Sequence, residues 1–177
     1  MTTFTYFMPT TQFRRVGNWL KSLDADTLRS YFGFSLNQNG IDHLVTKWKI
    51  NTANHYFLIA HRADQWVGIL HIATFNDEVE FGVIVKQEFR RQGIADQLLN
   101  EAITWAQNRG YQKLFMHCVV ENQVIQRLCE KHQLTICNTY GDIVGEMKLP
   151  KANWRSMLKE SIQRQANWYY FVRECLN

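Results

Sequence analysis

Two features of this 177-residue chain have the residue types and spacing to do chemistry. The first is a turn, Arg90-Arg91-Gln92-Gly93-Ile94-Ala95, which follows the strand-like run Val79-Glu80-Phe81-Gly82-Val83-Ile84-Val85 and opens a helix with no Ser or Thr cap. Backbone N–H groups at a helix start lack internal partners, and the helix dipole adds partial positive charge there. With Gly93 allowing close approach and Arg90 or Arg91 adding charge, such a turn can hold a phosphate or pyrophosphate. The second feature is Glu80, a carboxylate on an otherwise apolar strand, ten residues before Arg90. An unpaired carboxylate is costly there unless it is solvated or used as a base. His117 is a second titratable group on a strand, and imidazole suits proton abstraction near neutrality. A lone strand histidine is, however, more often a satisfied structural residue.

The elements that must position these groups follow from periodicity. Phe4 and Tyr6 mark a first strand closed by Pro9, and residues 10–23 read as a helix through Phe13, Val16, Trp19, Leu20 and Leu23. Asp24 or Asp26 caps a short helix carrying Leu28, Tyr31 and Phe32 and ended by Gly33. Residues 37–40 read as a turn, and a third helix runs from Ile41 to about Asn51. The period then becomes that of strands: residues 55–61, 66–75 and 79–85, joined by turns at 63–65 and 76–77, predict an antiparallel meander. The helix at 93–108 crosses to a parallel strand at 111–120. A second helix at 121–132 and a hairpin of residues 134–140 and 143–149, turning at Gly141-Asp142, complete a domain over 1–150. Pro150 marks a break. In the appendage 151–177, Trp154, Leu158, Ile162, Ala166, Tyr169 and Val172 keep helical spacing. That pattern fits a helix docked on its own domain, a dimer contact or a cover over the acceptor site.

Bulk numbers narrow the class. A hydrophobic fraction of 46% and a charged fraction of 20% describe an ordinary folded chain, long enough to bury a core. The net charge of +4 suits an anionic cofactor, but the basic residues are dispersed and give nucleic-acid binding little support. Cys118, Cys129, Cys137 and Cys175 form no Cys-x-x-Cys pair and read as reduced thiols, not as a metal site or disulfide framework. The start lacks the pattern of a signal peptide, and no 18-residue apolar run exists. The expectation is a cytoplasmic protein with no membrane partner, monomeric or homodimeric.

Arg90-x-x-Gly93-x-Ala95, after a hydrophobic strand and before an amphipathic helix, resembles the acetyl-CoA-binding turn of the GNAT superfamily of N-acetyltransferases. A second family element follows at the expected distance: the strand through Lys113–Val120, then Asn122 opening a helix with Ile125, Leu128 and Lys131. The likeness covers roughly residues 54 to 149. It implies a mixed α/β (α+β) domain with a mostly antiparallel central sheet flanked by helices, here with an extra C-terminal helix. It also implies acetyl-CoA as cofactor. The N–H groups of Arg91, Gln92, Gly93 and Ala95, on the turn that includes Ile94, would face the pyrophosphate. Backbone groups near Val83 and Val85 would pair with the pantetheine arm, and one N–H of that strand would steady the oxyanion. Asn122 resembles the family asparagine that meets cofactor or acceptor, and as a favoured N-cap it has a structural role open to it as well.

The acceptor implied is an amine. A primary amine with a pKa near ~10.4 is only about 0.1% neutral at pH 7.4, a handicap of roughly 4 kcal/mol, and a base removes it. Glu80 is the first candidate and His117 the second. Bacterial protein lysine acetyltransferases of this superfamily have a glutamate at a similar distance from the turn. The segment 23–32 is also similar to that group's early helix, with Tyr31 standing where an arginine is usual. The main departure is Cys129, which occupies the position where many relatives carry a tyrosine that protonates the leaving thiolate. Cys129 could donate itself, or be a packed hydrophobe with Tyr140 or Tyr111 substituting. Asp77, Glu78 and Glu80 could draw a cationic acceptor, a protein lysine or a small polyamine-like amine. The rival expectation is a non-catalytic acyl-CoA-binding or sensing module.

Overall fold

The computed structural model describes residues 2–62, 64–120, 122–139 and 142–176. The turn residues Ala63, Tyr140 and Gly141, and Glu121 at the expected start of the second crossover helix, lie outside the described residues. The meander is present as β2 (His55–Arg62), β3 (Gln65–Phe75) and β4 (Glu78–Val85). Its turns carry Asp64 (φ 61°) and Asn76 (φ 52°), two residue types that tolerate the left-handed region. An N-terminal strand, β1 (Phe4–Phe7), pairs antiparallel with β2. After β4 come α4 (Ile94–Asn108), β5 (Lys113–Val119), α5 (Gln123–Lys131), β6 (Thr135–Thr139) and β7 (Asp142–Lys148). The seven strands lie in the order β1-β2-β3-β4-β5-β7-β6, and β4–β5 is the parallel pair among antiparallel neighbours.

Helices cover both faces, because the central strands are apolar on both sides. On one face lie α1 (Phe13–Lys21), α2 (Ala25–Phe32) and α3 (Gln38–Ile50). Phe13, Val16, Leu20, Ile41 and Trp48 from these helices pack on Phe57, Ile59, Ile69 and Ile84. The other face holds α4 and α5, whose Leu98, Leu99, Ala102 and Leu128 pack on Leu70, Ile72, Phe81 and Met116. Each such side chain fully buried contributes about 1.5–3 kcal/mol, so neither layer can be dispensed with.

One helix start and one packing face differ from the sequence expectation. Residues 38–40 are the first turn of α3, because the Asn37 side chain caps it by accepting from Gly40 N–H at 2.9 Å. A helix start asks for a cap before it asks for propensity, so Asn-x-x-Gly opens the helix. The C-terminal helix, α6 (Trp154–Leu176), packs on α4 and β1, but through the face opposite its apolar stripe. Asn108 donates to the Ser156 carbonyl (3.1 Å) and to Glu160 (2.6 Å), Arg109 pairs with Glu160 (3.1 Å), and Asn167 donates to Thr5 (2.8 Å). Trp154, Leu158, Ile162 and Tyr169 are all more than half exposed. At 100° per residue, the stripe through 154, 158 and 162 lies across the helix from 156, 160, 163 and 167. No helix among the described residues is long and apolar enough to cross a membrane.

Candidate active site

The parallel pairing of β4 with β5 is short: Glu78↔Lys113, Val79↔Leu114 and Glu80↔Phe115. Beyond it β4 stays with β3 as far as Val85, and β5 stays with β7 as far as Val119. The two halves of the sheet therefore part at Glu80, and among the described residues no strand pairs the β5-facing edge of Phe81–Val85. Alternate residues of a strand direct N–H and C=O to opposite edges, so about half of the backbone groups here face the gap. Val83 and Val85 lie on this stretch. From Val85 back to Glu80 the free edge runs about 17 Å.

The other end of the gap is the capless helix start. Gly93 holds φ 77° as the residue before α4, and Arg91 holds φ 59°. Among the described residues no protein acceptor meets the N–H groups of Gln92, Gly93, Ile94 or Ala95. A Cβ built on Gly93 would meet nothing within 4 Å, so the approach from solvent is open. Ile94 turns its side chain into the core at 2% exposure, which fixes the start of the helix. Gln92 accepts from Arg62 and donates to the Glu88 carbonyl at 3.3 Å. The two arginines differ. Arg90 donates to Thr27 Oγ1 (2.7 Å) and to the Val85 carbonyl (3.3 Å), tying the turn to α2, whereas Arg91 is exposed. Asp96, in the first turn of α4, would oppose an anion. Burial pulls its pKa up, but hydrogen bonds and charge from Lys131 (2.9 Å) and His132 (2.8 Å) outweigh that and hold it below the usual range. These features fit a diphosphate and an extended arm on the gap edge. The residues that would hold acetyl-CoA are therefore 91–95 together with the backbone of Val83 and Val85.

Above the fork lies a cleft of about 330 Å³ between the sheet and α2, α3 and α5. It brings together Glu80, His117, Asn122 and Val83, which the sequence nominates, with Tyr31, Phe32, Trp48 and His71, which it does not. A larger depression of about 840 Å³, lined by Lys131, His132, Glu146 and Lys148 among others, contains none of the nominated residues, and it is a shallow surface feature. Glu80 is half-buried and faces the cleft, opposite Ala73 on β3. Asn122 caps α5 through Ile125 N–H (3.3 Å) and donates to the Ser30 carbonyl (3.1 Å), so it closes one wall by joining α5 to α2. His71 stacks on Phe57 (4.7 Å), and its Nε2 lies 3.0 Å from Nδ1 of His55. Burial, helped by His55, drives the His71 pKa down to about 3, so the cleft wall carries no cation there.

Cys129 is 1% exposed and is not among the residues lining the cleft; its Sγ lies against Gly145 of β7, where a Cβ would come within 2.9 Å. Tyr111 stacks on Trp105 (5.8 Å) in the core away from the cleft, and Tyr140 is outside the described residues. Of the acidic trio, Glu78 pairs with Lys113 at 3.6 Å, and Glu80 alone enters the cleft. Tyr31 was signalled in the sequence only as a departure on the early helix.

Comparison with known proteins follows the same lines. The profile of the acetyltransferase (GNAT) family matches residues 21–133. No curated protein matches the chain by sequence. The fold is similar to the GNAT domain of S. lividans PAT, with TM-score 0.69 and 14% identity over 82% of this chain and 89% of that one. It is similar to spermidine N-acetyltransferase from Vibrio cholerae, solved with CoA and spermine, with TM-score 0.64 and 17% identity over 83% and 95%. It is also similar to the ribosomal-protein-S18-alanine N-acetyltransferase of Escherichia coli, with TM-score 0.63 and 14% identity over 86% and 97%.

Proposed function

The chain belongs to the acetyltransferase (GNAT) family, acyltransferases that use acetyl-CoA as cosubstrate, and from that premise we propose direct acetyl transfer to a primary amine with Glu80 as base. The observation that carries this reading is the fork at Glu80: one carboxylate stands where the free strand edge, which leads to the capless helix start, meets the cleft. Acetyl-CoA lies along the gap and supplies the activated acyl group. Glu80, directly or through water, takes the proton of the incoming ammonium, so that the neutral amine attacks and no acyl-enzyme forms. His117 lines the same cleft and is exposed, which suits a proton path to solvent better than a first base.

The cleft also bears on the acceptor. Tyr31, Phe32, Leu44, Trp48 and Ile125 line it beside the polar Ser30, His71, His117 and Asn122, and among the described residues Glu80 is its one carboxylate. A second cation buried there would have no counter-charge. We therefore read the acceptor as an amine with a single positive charge and an apolar body, in preference to a polyamine. A screen of primary amines by released thiol tests this reading, alongside calorimetry with acetyl-CoA. Arylalkyl monoamines should exceed spermidine, aminoglycosides and lysine peptides in kcat/KM by about tenfold. Higher kcat/KM for spermidine or a lysine peptide would overturn the acceptor class alone. Cofactor binding with no turnover on any amine would favour an acyl-CoA sensor, and no binding would remove the proposal entirely.

A further inference from the structure

Resting on the acetyl-transfer reading, we propose that Tyr31 is a catalytic residue whose hydroxyl donates a hydrogen bond to the thioester carbonyl oxygen as the amine attacks. Tyr31 comes from α2, yet its ring occupies the side-chain space of Gly82 on β4. A Cβ at Gly82 would stand 2.5 Å from the Tyr31 hydroxyl and 3.0 Å from Cζ, so the two positions are complementary. Gly82 is the residue two past Glu80, on the same face of β4 and just beyond the fork. The phenol is thus held beside the base, over the strand edge that has lost its partner. It lines the cleft, and among the described residues nothing hydrogen-bonds its hydroxyl. A packed tyrosine normally finds such a partner. This one keeps its donor for a group the cleft receives.

The chemistry asks for that donor. Once Glu80 has passed the ammonium's first proton on to solvent, the neutral amine nitrogen forms a bond to the thioester carbon, its next proton passing to Glu80, while the carbonyl π pair moves onto oxygen. The pair returns as the carbon–sulfur bond breaks, and the sulfur leaves as thiol by taking the proton back from Glu80. Between these events the oxygen carries a full negative charge. A neutral O–H already in place stabilises it without reorganisation. Burial, and the negative charge of Glu80 nearby, push the Tyr31 pKa up. The phenol therefore stays protonated and gives a hydrogen bond, not a proton. The usual tyrosine of the leaving-group side is Cys129 here, buried against Gly145 and not among the residues that line the cleft.

The test uses the full chain, wild type and Tyr31→Phe, which keeps the ring against Gly82. Acetyl-CoA affinity is measured by calorimetry, kcat with the best amine of the screen, and the carbonyl stretch of bound [1-13C]acetyl-CoA by infrared difference spectroscopy. Wild type should lower the carbonyl frequency relative to free acetyl-CoA, and Tyr31→Phe should return it most of the way. The variant should lose about 100-fold in kcat with affinity held within about twofold. An unmoved carbonyl band with the cofactor bound, or a kcat loss below about threefold, overturns the role of Tyr31. A wild-type protein that neither binds nor turns over acetyl-CoA overturns the underlying reading instead, and Tyr31 with it.

Discussion

The two ends of the gap between β4 and β5 are built in opposite ways. The turn at 90–95 is one continuous segment that works through backbone: a left-handed glycine, a helix start and donors with no protein acceptor among the described residues. The cleft over Glu80 is assembled from α2, α3, β3, β4, β5 and α5, and it works through residues as far apart in sequence as the 92 positions that the Asn122–Ser30 bond spans. A backbone site tolerates most residue changes that keep its conformation. A side-chain site depends on each identity, and that is where relatives of one fold diverge in substrate. The two are joined by one chain of bonds: Asp24 to Thr27 (2.6 Å), Thr27 to Arg90 (2.7 Å) and Arg90 to the Val85 carbonyl (3.3 Å).

The contrast can be broken most severely at Glu80. Glu80→Gln should cut kcat about 10³-fold near pH 7 while calorimetry shows acetyl-CoA still bound. The deficit should shrink about tenfold per pH unit as the amine approaches its own pKa. A parallel loss of cofactor affinity would mean that the two ends are not separable. Gly93→Asp is the converse experiment. It places a carboxylate among the free N–H groups and a side chain at φ 77°, and affinity for CoA should fall about 100-fold, roughly 2.7 kcal/mol. Unchanged heats on titration would remove the turn from the cofactor site.

A third measurement concerns the cleft alone. His71 has its pKa lowered to about 3 by burial, against 6.5 for the free group. The unfolded state therefore binds the extra proton first, and folding stability should fall as pH drops from about 6.5 toward 3, by up to about 1.4 kcal/mol per unit. His55, shifted down by burial, adds in the same direction. His71→Phe keeps the stack on Phe57 and should flatten this acid limb in urea unfolding between pH 4 and 7. An equally steep limb in the variant would assign the slope to other groups. The smallest effect is expected at the link. Asp24→Ala removes the α2 cap, whose carboxylate accepts from Thr27 N–H at 2.7 Å, and should cost about 1 kcal/mol by thermal unfolding. The acetyl-CoA affinity should move by less than about threefold, because Arg90 positions the turn and does not supply its donors.

Much of the fold was legible in the chain for local reasons. The meander announces itself through short turns and apolar runs, the cap of α2 through Asp24, and the α4 start through Arg-x-x-Gly-x-Ala. Two differences were also local in origin. Asn37-Gln38-Asn39-Gly40 looks like a turn because turns and helix starts use the same residues, and only the Asn37–Gly40 bond separates them. The apolar stripe of α6 looks like a docking face, yet the helix docks by Ser156, Glu160 and Asn167, because Asn108, Arg109 and Thr5 offer matching hydrogen bonds.

The sequence by itself determined what backbone geometry requires over a few residues: the capless helix start, the strand before it and the carboxylate ten residues away. Tertiary structure decided which side chains face one another. It set Tyr31 over Gly82, drew Glu80 but not Glu78 into the cleft, and buried Cys129 against Gly145. Periodicity says which side of an element a residue occupies, but it carries no term for the element that will pack against that side. The sheet parts at Glu80 because β3 holds one strand and β7 the other, and that pairing is a property of the whole fold.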